Sequence, residues 1–274
     1  MTWLGAILLA AAAGVTEILP VSGSGHFYLL EKMLGLELSA ADTAAFRSAL
    51  YGGTALALVL FYHRRLGQML RDLLVGSRKP GTSLPRRLLV LLTVSSLPMF
   101  LALLLNRTRL AVEASSALLA FVSGFFALSG IVLFFSSRSA REKKDLPQTT
   151  VYDGFVMGLA QIPTVFPGLS RVGLLLSAGF LRGLDYPSAL EQAGLMGIPV
   201  YLAAALTQGL GVKRLGTAAV PVQMLLAGAG ISAAAGLLTL RVLTERAAYR
   251  KSTGYAYWCW GASLLALVLF LIAA

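Results

Sequence analysis

The chain has 274 residues, of which 57% are hydrophobic and only 13% charged, with a mean hydropathy of +0.77. A soluble domain carries about 25% charged residues, so a soluble fold is excluded and an all-α polytopic membrane protein is expected. The formal net charge of +11 does not indicate nucleic acid: the cations cluster between apolar runs, no aromatic-basic reading surface is visible, and the pattern suits anionic lipid headgroups.

In chain order, the first apolar region, 2–35, is interrupted from Pro20 to Gly25. Each flanking piece is shorter than the roughly 20 residues that a span needs. The pattern predicts a re-entrant hairpin: a helix, a turn at membrane depth, and a helix returning to the same side. Such a turn survives in lipid only where protein or a wet cavity surrounds it. Spans are expected near 43–63, 87–105 and 115–136. A second interrupted region, 151–183, breaks from Pro163 to Gly168 and predicts a second re-entrant hairpin. Further spans are expected near 188–209, 220–242 and 254–273. The single cysteine, Cys259, excludes an intrachain disulfide and a thiolate cluster. The start, Met1-Thr2-Trp3-Leu4, lacks the basic region of a cleavable signal peptide.

The order is hairpin, three spans, hairpin, three spans. Three is odd, so the second half is expected upside down relative to the first, an inverted-topology repeat. The boundaries are 1–145 for the first repeat and 146–274 for the second, within one integral membrane domain. Gly14-x-x-Glu17 matches Gly158-x-x-Gln161, and His26 and Ser170 stand at the same offset from those glycines. Arg64, Arg65, Arg71, Arg78, Lys79, Arg86 and Arg87 crowd segment 64–87, read as the only long loop. Arg138, Arg141, Lys143 and Lys144 fall in 137–150, and Arg246, Arg250 and Lys251 in 243–253. These basic segments are expected on the cytoplasmic side. The first hairpin then enters from outside and the second from the cytoplasm, with their tips meeting near the midplane.

Polar groups at membrane depth mark function. Glu17, Ser22, Ser24 and His26 all lie at the first break. A buried carboxylate needs a partner, and Arg171 or His26 is expected to supply it. His63, beside Arg64 and Arg65, reads as interfacial. At the second break, Pro167-Gly168-Leu169-Ser170 opens a returning helix that begins near Arg171. Helix N-termini attract phosphate, and arginine adds a planar fork that matches phosphate oxygens. Ser170 adds a hydroxyl, and Gly168 and Gly25 allow close backbone approach. Two such helix starts facing each other would make an anion site. With two histidines, a multi-histidine metal centre is excluded.

At these residues the chain resembles the undecaprenyl-diphosphate phosphatase family, the bacitracin-resistance proteins, over essentially its whole length. The resemblance rests on Glu17-x-x-Pro20-Val-Ser22-x-Ser24-Gly25-His26, on Gln161, and on Pro167-Gly-x-Ser-Arg171-x-Gly173, with a weaker match from Ala189-x-Glu191 to Pro199. It implies six full spans and two re-entrant hairpins. It also implies a multi-pass enzyme of the bacterial plasma membrane that removes one phosphate from a C55 isoprenyl diphosphate and returns the carrier to peptidoglycan synthesis. Arg171 would hold the diphosphate, with Ser170, Gly168, Gly25 and Gln161 around it. His26 with Ser24 or Ser22 would supply nucleophile and proton transfer. Glu17 would orient them or bind a divalent cation, Mg or Ca. The active site would face the extracytoplasmic side, and the partners would be the polyprenyl diphosphate, membrane lipids and a second copy in a homodimer. The chain departs from the family pattern at Ala13, Gly23 and Val172, which replace an acid and two serines. In the first full span Arg47 and Tyr51 replace an acid and a glutamine, and Arg47 is a candidate for contact with substrate phosphate. Gly23→Ser would restore the family hydroxyl and is expected to raise activity. The alternative reading is a homologue that binds or translocates polyprenyl phosphate or another phospholipid.

Overall fold

The computed structural model describes residues 1–75, 84–98, 102, 105–139, 144–245 and 253–273. The expected loop cations Arg78, Lys79, Arg141, Lys143, Arg246, Arg250 and Lys251 lie outside them. The helices are α1 (Trp3–Thr16), α2 (Gly23–Met33), α3 (Ala40–Leu74), α4 (Leu84–Ser96), α5 (Asn106–Glu113), α6 (Leu118–Ser139), α7 (Val151–Ala160), α8 (Arg171–Leu181), α9 (Tyr186–Leu215), α10 (Val222–Glu245) and α11 (Thr253–Ala273). Extended pairing among the described residues is limited to an isolated bridge between Lys144 and Leu184.

Among the described residues five helices are long and apolar enough to cross a membrane: α3, α6, α9, α10 and α11. Their outward side chains include Phe135, Leu206, Leu226, Leu238, Leu264 and Ile272, all exposed. Water would penalise so much apolar surface, whereas lipid solvates it. The protein is therefore a multi-pass membrane protein. The span expected at 87–105 begins as α4, and part of its second half lies outside the described residues.

Segment 64–87 is not a loop throughout. α3 runs past His63 to Leu74, 35 residues in all, or about 52 Å against a hydrocarbon thickness of about 30 Å. The extension contains no proline, and its Leu, Arg, Gln and Met favour helix. Met69 is buried and Leu66 packs on the core, so the helix remains supported. His63 is exposed, and its Nδ1 lies 2.8 Å from the Leu60 carbonyl oxygen.

The two interrupted regions form as helix pairs, α1 with α2 and α7 with α8, each packed together. The returning members, α2 and α8, have 11 residues each, about 17 Å of helix, too short to cross. α1 packs on α10, and α7 packs on α4. Glycine makes both contacts close. A Cβ on Gly14 would collide with the Ser232 carbonyl oxygen, and one on Gly158 would lie 2.5 Å from the Ser95 carbonyl oxygen. The long helices pair as α3 with α9 and α6 with α11, while α8 rests on α6. Fully buried Leu58, Leu175, Leu176 and Leu195 join α3, α8 and α9 in one core.

Candidate active site

The first turn follows α1, which ends with Glu17 as its C-cap. Pro20 cannot continue the helix, and Ser22 starts α2 as its N-cap. Among the described residues Ser22 is the one non-glycine with positive φ, 69°, a strain of about 1–3 kcal/mol. Its own groups offset that cost. The Ser22 hydroxyl accepts from the Gly25 N–H at 3.3 Å, and its carbonyl accepts from the His26 N–H at 3.2 Å. The Ser22 hydroxyl is thus occupied in capping. Ser24 is the one residue from Pro20 to Leu29 that is not buried.

Both ring nitrogens of His26 are occupied. Nδ1 lies 2.7 Å from the Ser22 carbonyl oxygen, and the Trp258 indole N–H donates to Nε2 at 3.0 Å. A carbonyl can only accept and an indole N–H can only donate. The bonding therefore fixes the neutral tautomer with its proton on Nδ1. Phe126 meets the ring edge-on, 5.0 Å between centroids.

The second turn is held from α6. The Ser129 hydroxyl donates to the Gly168 carbonyl at 3.1 Å and accepts from the Ser170 N–H at 3.0 Å. Gly168 adopts φ 104°, a conformation that favours glycine. Ser170 caps α8, its hydroxyl accepting from the Gly173 N–H at 3.1 Å. Arg171 follows as the first helical residue and is buried.

The two turns touch. A Cβ on Gly25 would lie 2.9 Å from the Gly168 Cα and 2.7 Å from the Phe126 ring, so glycine at both positions brings the N-termini of α2 and α8 side by side. Glu17 lies over the first turn, so close that a Cβ on Gly23 would overlap its carboxyl group. Serine at 23 would therefore have to move the Glu17 carboxyl group as well as restore a hydroxyl. Tyr201 on α9 divides its O–H between the Glu17 carboxylate and the Glu17 carbonyl, each 2.8 Å away. The Arg171 guanidinium lies over the Tyr201 ring, 4.5 Å from its centroid, and donates to the Ala193 carbonyl at 3.3 Å. The Arg171 Nε is buried with no hydrogen-bond partner among the described residues.

Gln161 goes elsewhere. It is fully buried at the end of α7 and donates to the Ser95 carbonyl of α4 at 3.1 Å. Arg47 is also bound within the protein. Its guanidinium donates to Tyr28 and Tyr51 at 2.6 Å and to Glu113 at 2.8 Å. Tyr51 in turn stacks on Tyr201, 5.8 Å between centroids. Sequence reasoning missed Tyr201, Ser129, Trp258 and Glu113. Tyr201 alone carried a signal, since a hydroxyl in an apolar span close after Pro199 requires a partner.

Among the described residues no three His, Cys, Asp or Glu side chains gather as a metal cluster. The acid available to a cation is Glu17. One carboxylate suits an ion held mainly by phosphate oxygens and water, as Mg²⁺ commonly is, and does not suit a protein cage.

The chain is similar to curated proteins over most of its length. An undecaprenyl-diphosphatase of Thermosipho africanus is 28% identical over 267 residues, 97% of this chain and 98% of the relative. One from Pelobacter propionicus is 32% identical over 243 residues, covering 88% and 85%. One from Micrococcus luteus is 32% identical over 209 residues, covering 75% and 74%. Residues 6–265 match the family described as Bacitracin resistance protein BacA, and the chain belongs to that family.

Proposed function

We propose that this protein hydrolyses undecaprenyl diphosphate to undecaprenyl phosphate and inorganic phosphate, returning the carrier lipid to cell-wall synthesis. The observation that carries the reading is the contact of two helix starts at Gly25 and Gly168, with Arg171 beside them and Glu17 tied to the same tyrosine. Paired helix N-termini and an arginine fork suit the oxygens of a diphosphate. Phosphoryl transfer depends chiefly on positioning and charge stabilisation.

In this reading Arg171 and the start of α8 hold the terminal phosphate. The Ser24 oxygen attacks its phosphorus, Glu17 takes the serine proton, and the bond to the lipid phosphate breaks. Water then attacks the phosphoserine and gives its proton to His26 Nε2, which Trp258 has released. Glu17 returns its proton to the serine oxygen, inorganic phosphate leaves, and His26 passes its proton to bulk water, which restores the neutral imidazole. Ser22 and Ser170 shape the two turns. Glu17 would hold a divalent cation, which would supply charge neutralisation.

The same proposal places the basic ends on the cytoplasmic side of a bacterial plasma membrane and opens the site outward. It takes the helix pairs as re-entrant hairpins of two inverted repeats. The reciprocal packing of α1 on α10 and α7 on α4, each through a glycine against a serine carbonyl, supports that reading. The carrier alternative has no observation of its own in its favour.

The test is phosphate release from a long-chain polyprenyl diphosphate by the purified protein in detergent, with and without Mg²⁺. Arg171→Lys loses the planar fork and is expected to lower kcat/KM about 10²-fold, whereas near-normal turnover would remove Arg171 as the clamp. Ser24→Ala is expected to abolish turnover, and retained activity would assign the attack to water. Saturable binding without release by folded wild type would return the carrier reading.

A further inference from the structure

The seat of Arg171 is built by one face of α9. Ala193, Gly197 and Tyr201 follow one another at four-residue intervals and so lie on one face of the helix. The Ala193 carbonyl accepts from Arg171, and the Tyr201 ring lies under its guanidinium. A Cβ at Gly197 would lie 2.9 Å from Arg171 Nη2, so glycine there lets the guanidinium lie against the helix backbone. Tyr201 is 3% exposed, and its hydroxyl binds Glu17 from the other hairpin. Tyr51 backs the same ring, and Arg47, which Glu113 neutralises, holds the Tyr51 hydroxyl. One aromatic residue thus touches both charged groups of the site and is itself braced. The Nε of Arg171 is a buried N–H with no acceptor among the described residues, as expected of a group reserved for an anion.

Resting on the diphosphatase reading, we propose that Tyr201 is the positioning residue of this site. Its ring aims Arg171 at the terminal phosphate of a diphosphate, and its hydroxyl aims Glu17 at the attacking oxygen. The two halves of that role are separable. Tyr201→Phe keeps the ring and removes the bond to Glu17. Tyr201→Leu removes the ring as well and leaves the guanidinium without its face.

The experiment measures kcat and KM for a polyprenyl diphosphate on the purified full-length variants, with inhibition by inorganic pyrophosphate and the melting temperature of each. Tyr201→Phe is expected to lower kcat about tenfold with KM unchanged. Tyr201→Leu is expected to raise KM and the pyrophosphate inhibition constant about tenfold in addition. Wild-type constants in both folded variants would overturn the proposal. So would a loss of activity that merely tracks a loss of melting temperature, without the split. If Tyr201→Leu does not fold, the kcat-only effect of the near-isosteric Tyr201→Phe decides. A wild type without phosphate release overturns the diphosphatase reading instead. In that case the rise in melting temperature given by pyrophosphate decides: protection weakened in Tyr201→Leu supports the seating of Arg171, and equal protection overturns it.

Discussion

Gly23, read in the sequence as a departure from the family pattern, lies against the Glu17 carboxyl group. The resemblance implies a serine there, and a missing hydroxyl invites replacement. The Glu17 carboxyl group fills that space instead, and Tyr201 holds it there. Gly23→Ser should therefore displace Glu17 from Tyr201 and lower kcat, by about tenfold if one hydrogen bond to a charged group is lost. Turnover assays beside wild type check this, and a gain in kcat would show that Glu17 has another working position. Glu17, Ser22, Ser24, His26 and Arg171 were legible in the sequence as candidates because polar groups stand out in apolar segments. Their division of labour was not. That Ser22 is used as a cap and Ser24 left accessible depends on the backbone at Ser22. That Glu17 pairs with Tyr201 depends on a contact between α9 and the end of α1, far apart in the chain.

At the scale of elements, the breaks in both hairpins were legible because proline and glycine end helices for local reasons. The length of α3 was not, since arginine-rich sequence reads as loop to a membrane argument and as good helix to a propensity argument. The closure of the second hairpin was also hidden. Thr150 and Asp153 form a capping box at the start of α7. The same carboxylate accepts from Arg182 at 2.7 Å and Lys144 at 3.0 Å, and Arg182 is the C-cap of α8. One acid thus ties the two ends of the hairpin together where the chain leaves the apolar region. Burial alone would raise the Asp153 pKa, but the bonds from Thr150, Arg182 and Lys144 outweigh it and hold the carboxyl down at about 2. A depressed pKa contributes stability that is fully present above the ordinary value of 3.8 and lost as pH falls through about 2. Melting temperatures between pH 5 and about pH 2 should fall more steeply for wild type than for Asp153→Asn, with the two curves converging at the acid end. Parallel curves would show that Asp153 does not gate the hairpin's stability.

At the scale of the whole molecule, the two interrupted segments and the long apolar helices were readable from hydropathy, and the inversion is an expectation drawn from an odd number of spans. Which helix each hairpin leans on was not readable, because it depends on close approach and not on polarity. Small residues allow such approach in membranes, where hydrophobicity does not itself drive helices together. Gly14 on α1 meets Ser232 and Ala235 of α10, and Gly158 on α7 meets Ser95 of α4. If these contacts are equivalent seats in two inverted repeats, each hairpin is anchored by the opposite half, and the two seats should respond alike. Alanine gains about 1 kcal/mol of helix propensity over glycine. Forcing a methyl group against a backbone carbonyl costs about 1–3 kcal/mol, and here the backbone itself must move apart, which favours the upper end. Gly14→Ala and Gly158→Ala should therefore each destabilise by about 1–2 kcal/mol, read as similar falls in melting temperature. The seats lie on different helix pairs and share no partner, so the double variant should lose about the sum. A neutral Gly158→Ala beside a damaging Gly14→Ala would break the equivalence and leave the first hairpin as the only one seated by close packing.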